Sequence, residues 1–225
     1  MLEIASTLTI GATAGTIFAA VFGSLPIRSA VRLALGAGVG VWVALALAIT
    51  VSSAVKDSRL VLPAFFMLPL VAAALAATSP AARRAMMAIP MSSIIALNAM
   101  RVLGVLMLVA AVTGVMSGPF PYAAGIGDVL TGLFALGVSR VAAREPNDVR
   151  VLEWNIFGAL DLVVAVSLGA TYATSGASVA MTTLPWSLIP LVLVPTYLIG
   201  HALVFAHVRA ATAAANGPQT QFARA

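Results

Sequence analysis

The chain has 225 residues, 61% hydrophobic and only 8% charged, with a mean hydropathy of +1.08. A soluble domain carries about 25% charged residues, so this composition excludes one and predicts an all-helical polytopic membrane protein whose main partner is the lipid bilayer. The formal charge is +5, but the basic residues are scattered over short connections without a stripe or aromatic-interleaved patch, which excludes a nucleic-acid partner.

Each apolar run of about 20 residues reads as a membrane-crossing helix, because a backbone in lipid must satisfy its hydrogen bonds internally. Met1-Leu2-Glu3-Ile4 lacks the cationic start of a signal peptide, so the first run, 4–24, is expected to be a retained helix. The second run is 30–54 and the third, holding Pro63 and Pro69, is 60–78. Run four, 90–116, contains Asn98 and Arg101, and run five, 122–142, contains Asp128. Run six, 151–173, contains Trp154, Asn155 and Asp161; run seven, 184–208, contains Pro190, Pro195 and His201. Residues 1–210 thus read as a single seven-helix domain and the Ala-rich stretch 211–225 as a disordered cytoplasmic tail.

Orientation follows from the arginines, since basic residues stay on the cytoplasmic side of short loops. With seven spans, Arg28, Arg32, Arg83, Arg84, Arg140, Arg144, Arg150, Arg209 and Arg224 all fall on one side. The other side has Lys56 and Arg59, diluted by Asp57. The N-terminus is therefore expected outside and the C-terminus in the cytoplasm. Small size and Ala-rich composition point to a bacterial inner membrane. Gly11 with Gly15, and Gly36 with Gly40, have the small-xxx-small spacing that lets helices approach closely.

Charged side chains deep in a bilayer cost several kcal/mol, so each needs a partner or a water-filled cavity. Arg101, Asp128 and Asp161 are the three such residues in this chain. At a rise of about 1.5 Å per residue, Arg101 and Asp161 fall at similar depth and Asp128 about one turn further out, so Arg101 is within reach of either carboxylate. With all three ionised, one negative charge is left over unless a proton or cation joins them. Asn98 shares a helix face with Arg101, Thr131 with Asp128, and Trp154 and Gly158 with Asp161. Pro190 and Pro195 are expected to bend the seventh helix and free carbonyls above His201. The candidate substrate- or ion-binding set is Arg101, Asp128, Asp161 and His201, with Asn98, Trp154 and Asn155 around them.

Three functional classes accommodate this set. In a small transporter or ion and proton pathway, the carboxylates exchange a proton and Arg101 moves between them. A membrane-embedded enzyme would use Asp128 and Asp161 as paired catalytic carboxylates activating water. Gly125-Ile126-Gly127-Asp128 resembles the glycine-flanked aspartate motif of the presenilin-like intramembrane aspartyl proteases. In that family the flanked aspartate comes second along the chain, whereas here it comes first. A seven-helix sensor with a small-molecule, ion or lipid ligand framed by Trp154, Trp186 and Tyr197 is the third class. A retinal protein is excluded, because the single lysine, Lys56, lies in a loop. A purely structural network joining three helices would also explain the charges.

No cofactor or metal is implied. The chain has no cysteine, which excludes disulfides, iron–sulfur clusters and thioether-linked haem. Both histidines fall on one helix, so haem held across two helices is excluded, and the His-Glu-x-x-His pattern of zinc hydrolases is absent. A homo-oligomer is compatible with everything in the sequence.

Overall fold

The computed structural model describes residues 29–52, 54–57, 60–172 and 179–215, and every regular element among the described residues is helical. In chain order these are α1 (Ser29–Val51), the short α2 (Ala54–Asp57), α3 (Val61–Thr78), α4 (Pro80–Met87), α5 (Met91–Leu97), a 3₁₀ turn segment (Asn98–Gly104), α6 (Val105–Val112), α7 (Phe120–Arg144), α8 (Val149–Thr171), a π-helical turn (Ile189–Leu193) and α9 (Val194–Ala215). Five continuous stretches are long and apolar enough to cross a membrane: Val61–Thr78, Met91–Val112, Phe120–Arg144, Val149–Thr171 and Ile189–Ala215. These mark a membrane protein. The apolar part of α1, Gly36–Val51, is shorter. The expected first helix, with Gly11 and Gly15, lies outside the described residues.

Helix ends follow local chemistry. The fourth run stops at Val112 rather than 116, because Gly114 takes φ 76°, a left-handed conformation that favours glycine. Pro121 sits in the first turn of α7, where a missing N–H costs nothing. α8 starts at Val149 because the Asp148 carboxylate accepts from the Arg150 amide at 2.8 Å. α9 corrects the expectation of a disordered tail from 211: the helix continues to Ala215. The reason is the run Ala210-Ala211-Thr212-Ala213-Ala214-Ala215, strong in helix propensity and without a breaker before Gly217-Pro218. Residues 216–225 lie outside the described set. Sequence reading also passed over α4, which begins with Pro80 in its first turn and is capped by Ser79.

α7 is the central element, packed along Met91–Val112 on one side and α8 on the other. Midway along it the large apolar residues turn outward and the small ones inward: Leu133 is 61% and Phe134 62% exposed, while Thr131 and Ala135 are fully buried. Without a hydrophobic drive between helices in lipid, close packing depends on small residues. A β-carbon on Gly104 would meet the Asp128 Cβ at 2.5 Å and the Gly125 carbonyl at 3.0 Å, and one on Gly132 would strike the backbone of Arg101 and Val102. Among the described residues nothing lies within 4 Å of a β-carbon built at Gly36 or Gly40.

The final span begins with the π turn, beside Pro190 and Pro195. Pro195 offers no N–H to the Leu191 carbonyl four residues back, and that carbonyl accepts from the Trp42 indole at 2.9 Å. Trp42 in turn stacks on Phe65 of α3, with centroids 3.9 Å apart. Thr50 of α1 lies 3.1 Å from the Ser187 hydroxyl. The freed carbonyl thus anchors α1 and α3 to the last span.

Candidate functional site

Arg101 is at the centre of the bundle, 2% exposed, on the 3₁₀ segment. Its Nε donates to Asp128 Oδ1 of α7 at 2.7 Å, and its Nη2 donates to Asp161 Oδ2 of α8. Nη1 donates to the Gly158 carbonyl at 3.1 Å and lies 3.2 Å from His201 Nε2. The Tyr197 ring caps the guanidinium at 5.6 Å from its centroid, within range of a cation–π contact. One side chain on a short connection between α5 and α6 thereby ties α7, α8 and α9 together.

The protonation pattern of His201 follows from its partners. A guanidinium has donors only, so Nε2 accepts and the ring proton resides on Nδ1. Nδ1 then donates to Asn155 Oδ1 at 2.7 Å, and Asn155 Nδ2 donates back to the His201 carbonyl at 3.2 Å. A neutral imidazole beside the arginine adds no second positive charge.

Glycines make the space for this cluster. A β-carbon on Gly127 would occupy the position of the Asp161 carboxylate. One on Gly158 would meet His201 Cε1 at 2.7 Å and Thr131 Cγ2 at 3.0 Å. A β-carbon on Gly125 would meet Leu108 Cδ2 at 2.7 Å. Both glycines of Gly125-Ile126-Gly127-Asp128 therefore have a local packing reason in this fold.

The structure brings Arg101, Asp128, Asp161, His201 and Asn155 into one hydrogen-bonded cluster. Trp154 stands beside it: its indole donates to the Thr131 carbonyl at 3.0 Å and its ring centroid is 5.5 Å from that of His201. Asn98 is buried but separate, donating to the Ile94 carbonyl at 3.1 Å, with its Oδ1 lacking a hydrogen-bond partner. Thr131 Oγ1 is likewise buried and unpartnered. Sequence reading missed the Gly158 carbonyl as an arginine acceptor, since any backbone carbonyl is silent in sequence.

A cavity of about 40 Å³ opens on one side of the cluster. Its charged members are Arg101 and Asp128, and the rest of its wall is Met, Leu, Ile and Val with Gly104, Trp186 and Tyr197. Such a volume holds about two to three waters. Asp161, His201 and Trp154 are not part of the wall. Arg101 fills the centre between the two aspartates and His201, the point a metal ion would have to occupy.

The matching sequence family covers residues 58–209 and is described as a domain of unknown function, DUF8737. The chain belongs to this family. The matched segment runs from just before α3 into α9 and includes every member of the cluster. No curated protein and no solved structure matches the chain.

Proposed function

We propose that this DUF8737 protein is a small membrane transporter or proton- and cation-pathway protein, with Asp128 as its exchanging group. The observation that supports this most is the charge imbalance: one guanidinium, held by two carboxylates, with a neutral histidine beside it. A buried unpaired charge costs several kcal/mol, so the second carboxylate calls for a proton or a cation. Asp128 is the better placed to receive it, with its side chain 19% exposed against 9% for Asp161, and with the cavity at its side. A proton on Asp128 weakens its hold on Nε and leaves Arg101 to Asp161; release restores the shared pairing. That is a two-state element built from one side chain and two partners.

In this reading the protein has seven spans, counting 4–24 and α1, with the N-terminus outside and the C-terminus in the cytoplasm of a bacterial inner membrane. The distribution of arginines supports it. The test is pH-dependent flux in proteoliposomes loaded with a pH-sensitive dye. Asp128→Asn and Asp161→Asn are each expected to abolish the flux. Unchanged flux in both variants would remove the proposal.

A further inference from the structure

The cavity beside Asp128 has a chemistry that narrows what it takes. Resting on the reading of Asp128 as the exchanging group, we propose that it binds a short-chain organic ammonium ion in competition with the proton. Anions are disfavoured, because Arg101 commits four of its five N–H donors to Asp128, Asp161, Gly158 and His201, and the Asp128 carboxylate on the same wall repels negative charge. An inorganic cation is disfavoured too, since dehydrating one takes about six oxygen ligands, while this wall offers a single carboxylate among mostly apolar side chains. Among the described residues no three His, Asp or Glu side chains gather as metal ligands.

An alkylammonium ion needs less. Arg101 takes Oδ1 of Asp128, leaving Oδ2 to accept from one of the ion's three N–H groups, while the other two keep water at the open side of the cavity. The alkyl part suits Met100, Met107 and Leu162, and Trp186 adds an aromatic ring to the same wall, beside Tyr197, whose ring already stands over Arg101. Size sets the class. Room for about two to three waters is room for two or three non-hydrogen atoms, the size of methylammonium or ethylammonium. Affinity is correspondingly weak: at the ceiling for very small ligands, three such atoms reach a Kd on the order of millimolar.

Trp186 makes the site observable. The full-length protein in detergent is titrated with ethylammonium chloride at constant ionic strength held with potassium chloride, and tryptophan fluorescence is followed. The expected result is a saturable change that weakens as pH falls, is lost from the signal in Trp186→Phe, and is reduced at least tenfold in affinity by Asp128→Asn but retained in Asp128→Glu. Ethanol, the same size without charge, is expected to give no saturable change. An equal response to ethanol, or an ethylammonium response that potassium suppresses equally well, overturns the proposal, as does the absence of any saturable ethylammonium signal. The ethanol and potassium comparisons use unaltered protein, so they stand even if the aspartate variants fail to fold. Proton flux without ethylammonium binding would sink this inference alone; ethylammonium binding without flux would leave the ligand and remove the transport reading.

Discussion

Gly127 of α7 lies against the carboxylate of Asp161 on α8, so that a β-carbon at position 127 would take the carboxylate's place. The absence of a side chain on one helix is what allows the charged group of the next to reach Arg101. Replacing Gly127 by Ala is expected to push Asp161 off the guanidinium, at a cost of about 1–3 kcal/mol for overpacking, only partly offset by the gain of up to about 1 kcal/mol in helix propensity. Gly137, on the same helix, is exposed with nothing within 4 Å. Gly137→Ala is therefore expected to stabilise by about 0.4–1 kcal/mol. Thermal unfolding of both variants in one detergent checks the opposite signs; equal shifts would refute the packing argument.

Removing Arg101 leaves two carboxylates facing each other in the interior. Arg101→Met should cost about 3–5 kcal/mol, the range for breaking a buried pair from one side. Combining it with Asp128→Leu and Asp161→Leu should recover most of that loss, because a fully apolar replacement no longer contains an uncompensated charge. Melting temperatures of the single and triple variants decide the matter. A triple variant as unstable as the single one would show that the cluster holds the fold in some other way, while a stable triple variant without flux would separate function from folding.

Asn155 holds His201 through both of its amide atoms. Asn155→Leu should cost about 1–3 kcal/mol by leaving the Nδ1–H and a carbonyl unsatisfied. Nitrogen NMR of labelled protein is expected to show His201 protonated on Nδ1 and bare on Nε2. A signal from the opposite tautomer would contradict the arginine contact.

Asp148 gives a pH signature away from the bundle interior. Hydrogen bonds from the Arg150 side chain, at 2.7 and 2.9 Å, and from its backbone amide lower the Asp148 pKa to about 2 from the ordinary 3.8. A carboxylate with a lowered folded-state pKa contributes stability that is present above its unfolded value and is lost as pH falls through the folded one. The start of α8 is accordingly expected to hold above about pH 4 and to loosen toward pH 2. Amide exchange at Arg150 followed against pH is the check, and Asp148→Ala should exchange fast at every pH.

The charged members of the cluster were legible in the sequence because a charge deep in an apolar run is expensive enough to demand a partner, and Arg101, Asp128 and Asp161 lie well inside their runs while Arg32, Arg140 and Glu153 lie near the ends of theirs. Asn155 and His201 followed from the same logic in weaker form. Asn98 shows its limit. Three residues from Arg101, it shares a face in any helix, yet its amide turns to the Ile94 carbonyl and joins no ion pair.

Sequence by itself determined the class of protein and the position of the apolar runs, since both rest on summed transfer energies that need no knowledge of neighbours. Which helices meet, and how closely, was decided by tertiary structure. Gly104 against Asp128, Gly127 against Asp161 and Gly158 against His201 look like any other glycines in an Ala-rich chain. Their meaning appears only when two helices are placed side by side and the missing β-carbons become the space in which Arg101 holds both aspartates at once.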